Sequence, residues 1–142
     1  MAATKQQKRP LACIILAAGQ GKRMKSALPK VMHPLAGRPL IGWLLETVRS
    51  LKPEKIVVVT GPDMDDLRDA VSGCQIVTQK KPMGTGDAVK AALPALKNFS
   101  GDVLILLGDM PLIGADTLRA LIKARHKNDL TKISVLGVEF DR

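Results

Sequence analysis

Short apolar runs alternate with helical stripes along this chain. The stretch "LACIILAA" (11–18) is apolar throughout, as a strand covered on both faces should be. "RPLIGWLLETVRSL" predicts a helix starting at Pro39, with Leu40, Trp43, Leu44, Thr47, Val48 and Leu51 along one stripe. "KIVVVTG" (55–61) reads as a second buried strand, "DMDDLRDAV" as a short acidic helix and "CQIVTQ" as a third strand. "GDAVKAALPAL" predicts a helix that Pro94 should kink or end. "DVLILLGD" reads as a fourth strand, and "ADTLRALIKARHK" as a helix capped by Asp116 with bases in its last turn. "KISVLGVEF" is expected to form a fifth strand.

This alternation predicts βαβ units with right-handed crossovers. The fold class is therefore α/β and Rossmann-like, a mostly parallel sheet with helices on both faces in three layers. Ligands of such sheets bind beyond the carboxyl ends of the strands. That rule singles out three loops, at residues 18–31, 79–86 and 108–111.

Composition narrows the function classes. A length of 142 residues suits one domain, and 46% apolar with 25% charged residues suits a globular one. Two phenylalanines, one tryptophan and no tyrosine leave few platforms for stacking bases, so no nucleic-acid partner is expected. The net charge of +9 is uneven: Lys5, Lys8, Arg9, Lys22, Arg23, Lys25, Lys30 and Arg38 all precede Glu46, the first acid. Such a patch attracts anions, of which phosphates are the commonest. Residues 1–10 read as a disordered basic tail ahead of a domain at 11–142. Cys13 and Cys74 have neither metal-ligand spacing nor a disulfide framework, and are expected as buried small hydrophobes. No apolar run reaches the ~20 residues of a membrane span. The expectation is a cytoplasmic, monomeric chain without a membrane partner.

Within the first loop, "LAAGQGKRMKSALPK", Gly19 and Gly21 precede Lys22, Arg23, Lys25 and Lys30. A dinucleotide fingerprint is excluded, because its third glycine position holds Met24 and the second strand ends on Thr60 rather than an acid. A Walker A loop is excluded by Leu16 and Arg23 at positions that need glycine and a hydroxyl. A glycine turn followed by cations suits a polyphosphate. One ion pair at ~4 Å near a protein surface is worth about 4 kcal/mol in raw Coulomb terms. Pro29 fixes the backbone beside Lys30, which places Lys30 and Arg23 ahead of Lys22 and Lys25 as phosphate ligands.

"LAAGQGKRM…LPKVMHPLAGRPLI", "TQKKPMGTGDAV" and "LILLGDMPLI", in this order, resemble the motifs of the sugar-1-phosphate nucleotidyltransferases. Within that family they are most similar to the uridyltransferase domain of the bifunctional N-acetylglucosamine-1-phosphate uridyltransferase / glucosamine-1-phosphate acetyltransferases. The resemblance implies a nucleotide-diphospho-sugar transferase fold, present incompletely. It implies transfer of a uridylyl group from UTP to N-acetylglucosamine 1-phosphate, giving UDP-N-acetylglucosamine and pyrophosphate, with Mg²⁺ as cofactor. Arg23 and Lys30 are then catalytic. Leu16, Ala17, Ala18, Gly19, Gly21, Lys30, Gln79, Gly84, Thr85 and Gly108 bind the nucleotide, with Gln79 and the Gly84–Thr85 pair on the uracil, and Asp109 is the metal ligand. His33 and His126 are expected to be structural or on the surface.

Three positions depart from the family's pattern. Lys22 stands where threonine is common, Pro82 where glutamine is, and Asp87 where histidine is, adding an anion beside the nucleotide. The resemblance also places the acceptor sugar and a second metal ligand in a region after the fifth strand. The expectation is thus the nucleotide half of a site, with little turnover alone. A nucleotide-binding fragment without catalysis, or transfer with another base or sugar phosphate, are the alternatives. A basic nucleic-acid binder ranks last.

Overall fold

Four of the apolar runs become one parallel sheet. In the computed structural model, which describes residues 9–21, 24–81, 83–128 and 130–139, the strands are β1 (Leu11–Leu16), β4 (Lys55–Thr60), β5 (Gln75–Thr78) and β6 (Asp102–Leu107). They lie in the order β5-β4-β1-β6, every pair parallel. The expected tail falls mostly outside the described residues, as do Lys22, Arg23 and Pro82. A two-residue hairpin, β2 (Pro34–Leu35) and β3 (Arg38–Pro39), follows β1. Ala36 and Gly37 turn it with positive φ at both positions, the shape whose twist matches paired strands. The helices are α1 (Leu40–Ser50), α2 (Asp65–Ala70), α3 (Thr85–Ala92) and α4 (Ala115–Arg125).

The two central strands, β1 and β4, are apolar on both faces because both are covered. On one face Cys13, Ile15, Val58, Leu104 and Leu106 pack with Ile41, Leu44, Leu45 and Val48 of α1, Leu67 of α2 and Leu118 of α4. On the other, Ile14, Val57 and Val59 meet Ala88 and Ala92 of α3. The expected three-layer Rossmann-like arrangement is therefore present. As Pro94 predicted, α3 stops at Ala92 and a 3-10 turn, Leu93–Leu96, replaces it.

Three expectations need correction. The inward stripe of α1 is Ile41, Leu44, Leu45 and Val48, whereas Leu40, Trp43, Thr47 and Leu51 are half-buried. Trp43 is drawn to the side by the hairpin: its indole N–H donates to Leu35 O at 2.9 Å, and the Arg38 guanidinium lies 5.1 Å from the ring centre. Asp116 is not the cap of α4; Gly114 holds that position, and Asp116 pairs with Arg119 one turn on. The expected fifth strand does not form, and residues 131–139 have no regular structure. Strand preference depends on a neighbour to pair with. This segment is instead tied to α4, where Ser134 Oγ donates to Leu121 O at 2.9 Å. Its Ile133, Val135 and Val138 stay exposed, as do Val103, Ile105 and Leu107 on the face of β6 that α3 does not reach.

Both cysteines are free, Cys13 fully buried in β1 and Cys74 half-buried. Burial pushes the Cys13 thiol up to about 12 from 9.0, and raises Cys74 against the opposing pull of Arg49. A folded pKa above the unfolded one stabilises the fold fully below the unfolded value. For Cys13 that contribution is complete below pH 9 and is lost as pH rises toward 12. Cys13→Ala should therefore flatten the fall of stability across this window, measured as urea midpoints at stepped pH. A wild-type decline that the variant reproduces in full would remove Cys13 as its cause.

Candidate active site at the carboxyl ends of the strands

From β1 the chain moves outward through β4 to β5, then returns over the sheet to β6 on the other side of β1. The direction of winding reverses between β1 and β6, and a crevice opens where the flanking loops part. The residues just beyond these two strands are Ala17–Gly21 in sequence on one side, and Gly108 with Asp109 on the other.

Close packing fixes this end of the sheet. Gly108 N–H donates to Leu16 O at 2.9 Å, and Ala17 N–H donates to Val59 O at 2.8 Å. A Cβ at Gly108 would stand 2.9 Å from Val31 Cγ1 and 3.0 Å from Leu16 O, so no larger residue fits there without a shift. Gly21 has φ +62°, and a Cβ on it would meet Lys30 Cβ at 3.0 Å. The glycine turn and Lys30 are thus packed against each other. Around Gly19 the space is open as far as the described residues go, with none of their atoms within 4 Å of where a side chain would project.

Lys30 starts a 3-10 turn, Lys30–Met32, after Pro29. The buried Val31 anchors that turn beneath the crevice, so the neighbouring Lys30 points away from the core. Its ammonium pairs with the Asp109 carboxylate, joining residues far apart in sequence. Both side chains keep access to solvent, 43% and 26% exposed. A ligand can therefore reach either charge.

Gln79 lies at the other end of the site. Its backbone N–H donates to Thr60 O at 2.8 Å, extending the β4–β5 ladder by one residue. Its side chain is buried, and Nε2 donates to Asp87 Oδ2 at 2.7 Å and to Gly84 O at 3.3 Å. Gly84 precedes α3 with φ +102°, and Thr85 opens the helix exposed. Gln79 and Asp109 follow the two outermost strands. Three strand spacings separate them, about 14 Å. A nucleotide lying with its base at one end and its phosphates at the other is of this length class.

The structure thus brings Leu16, Ala17, Ala18, Gly19, Gly21, Lys30, Gln79, Gly84, Thr85, Gly108 and Asp109 to one end of the sheet. Arg23 lies outside the described residues. His126 sits at the opposite end, bonded to Asp102 at 2.5 Å, as expected of a structural residue. His33 places its backbone O under Leu40 N–H, and its buried Nε2 has no partner among the described residues. Two features escaped the sequence reading. One is the Asp87–Gln79 bond. The other is the buried Thr60 hydroxyl, which has no partner among the described residues; a polar residue closing an apolar strand was the available signal. Two open cavities, of about 590 and about 1090 Å³, lie elsewhere: neither is lined by the glycine loop, Gln79 or Asp109. The reversal of winding and the converging charges mark the site, not cavity size.

The donor set around Asp109 bears on a metal. Among the described residues no group of three or more His, Cys, Asp or Glu gathers. A metal here would have one carboxylate from the described residues, with waters and phosphate oxygens completing its shell. That fits Mg²⁺, which prefers hard oxygen and holds its waters. The carboxylate already receives a cation, the Lys30 ammonium.

Comparison with known proteins agrees with this geometry. The family model described as "MobA-like NTP transferase domain" matches residues 13–138. "Bifunctional protein GlmU" of Paramagnetospirillum magneticum is 51% identical over 127 residues, covering 89% of this chain and 28% of that protein. "Bifunctional protein GlmU" of Sphingopyxis alaskensis is 47% identical over 131 residues, covering 92% and 29%. The chain therefore spans less than a third of the curated relatives it matches. Among solved structures, the homologue of Mycobacterium tuberculosis Rv0371c from Mycobacterium sp. strain JC1 superposes with a TM-score of 0.71 at 26% identity, covering 82% of this chain and 60% of that one.

Proposed function

The chain belongs to the MobA-like NTP transferase domain family, and from that premise we propose that residues 11–142 bind UTP for transfer of its uridylyl group to N-acetylglucosamine 1-phosphate. The observation that carries this reading is the Lys30–Asp109 pair at the crevice between β1 and β6. It puts an ammonium and a carboxylate on the same spot, one from each side of the reversal, which suits a phosphate and a metal ion. The high identity to the bifunctional relatives supports the choice of base and sugar.

In the proposed reaction an oxygen of the sugar phosphate attacks the α-phosphorus of UTP. A new P–O bond forms, the bond to the β-phosphate oxygen breaks, and pyrophosphate leaves. No covalent enzyme intermediate is needed. Lys30, turned outward by the buried Val31, neutralises phosphate charge, and Arg23 adds a second cation. Asp109 would hold Mg²⁺, which when bound offsets charge on the phosphates. The open space at Gly19 admits the nucleotide to the main chain. Gln79 and the Gly84–Thr85 turn receive the uracil.

Calorimetry with UTP, CTP, ATP and GTP in the presence of Mg²⁺ tests the binding half. UTP should bind tightest. Equal affinity for all four would remove the uracil assignment while leaving a phosphate site; binding of none would overturn the reading entirely.

A further inference from the structure

We propose that Asp87 is a specificity-positioning residue: it locks the Gln79 side-chain amide with its oxygen outward, so that the base site offers a single hydrogen-bond acceptor. This rests on the uracil-binding reading above and deepens it.

An unconstrained glutamine cannot select a base by itself. Its amide carries two donors on one atom and an acceptor on the other, and rotation by half a turn exchanges them. Here both partners of Nε2 can only accept: the Asp87 carboxylate at 2.7 Å and the Gly84 carbonyl at 3.3 Å. Turning the amide over would set an oxygen against two oxygens, one of them charged, in a buried position. The orientation is thereby decided, with both amide hydrogens spent on the protein. Oε1 receives no bond from any described residue. Among the described residues, the buried side-chain atoms left without a partner are His33 Nε2 and Thr60 Oγ1, and Gln79 Oε1 is not one of them.

A lone acceptor discriminates between the pyrimidines. Uracil presents an N3–H donor at the centre of its pairing edge, whereas cytosine presents a bare N3 lone pair there. Gln79 Oε1 accepts from the first and repels the second. The charge of Asp87 is absorbed in this lock instead of facing the nucleotide directly. Its place in the first turn of α3, two residues after Thr85, lets the backbone of that turn and the amide move as one unit.

The test is the ratio of UTP to CTP affinity in wild type and in Asp87→Asn, measured by calorimetry with Mg²⁺. Asparagine keeps the size but can donate to Gln79 Oε1, which permits the turned-over amide. The ratio should fall by about tenfold, on the order of one hydrogen bond's net worth. Asp87→Ala, which removes the contact without adding a donor, gives the same readout should the first variant fold poorly. A merely structural contact would lower the melting temperature and leave the ratio where it was, which overturns the proposal with the UTP reading intact. A wild type that binds UTP and CTP equally overturns both.

Discussion

Asp109→Asn is expected to weaken Mg²⁺-dependent UTP binding at least about tenfold, while the ligand-free melting temperature barely moves. The substitution keeps size and removes charge. Its partner Lys30 is 43% exposed, so water takes over the ammonium when the carboxylate goes. Pairs this exposed contribute roughly 0–1 kcal/mol. Asp109 also caps no helix, because α4 begins at Ala115 behind Gly114. Binding is another matter, since the carboxylate is the described residues' one contribution to the proposed metal. With ligand at 100 times Kd, tenfold weaker binding removes about 1.3 kcal/mol of linked stabilisation. For a chain of this size that is a loss of roughly 3–5 °C from the ligand-induced rise in melting temperature. Two pairs of melting curves, with and without UTP and Mg²⁺, decide it. A lowered ligand-free melting temperature with an undiminished ligand-induced rise would make Asp109 a scaffold residue.

Leu118→Ala should cost about 2–5 kcal/mol, a large share of the 5–15 kcal/mol typical of a domain. Leu118 is the fully buried residue of α4 among those described, and it meets the same core as Leu104 and Leu106 of β6 and the inward stripe of α1. Its neighbours Ile113, Leu121 and Ile122 are already packed at the margin of that core. They can fill the void only by giving up contacts of their own. Urea unfolding should show a lower midpoint at an unchanged slope. Leu112→Ala makes the comparison, since Leu112 is 84% exposed and should change stability by no more than ~0.5 kcal/mol. Equal losses from the two variants would mean that α4 is not held through Leu118.

The order of elements was legible in the sequence because each depends on local pattern. The runs at Leu11–Leu16, Lys55–Thr60 and Asp102–Leu107 are apolar enough to mark strands, and Pro94, falling inside a helical pattern, ends that helix. The three loops at the strand ends were legible for the same reason: a parallel sheet sends all of its carboxyl ends to one side. Their residue types, glycines with cations and a lone carboxylate, already pointed to phosphates.

Orientation and pairing were not legible, because they depend on what stands opposite. The stripe of α1 shifted when the hairpin claimed Trp43 with a carbonyl and an arginine. The run after α4 has the composition of a strand, yet its side chains lie exposed and its Ser134 is bonded to the helix. The sequence by itself determined that Lys30, Gln79 and Asp109 belong to loops at one end of the sheet and that Asp87 lies at the start of the helix after one of them. Only the tertiary structure decided that Lys30 pairs with Asp109 and that Asp87 turns the Gln79 amide outward. The reason is range: strand and helix periods act over a few neighbours, whereas a hydrogen bond between loops forms only after the sheet has set their spacing.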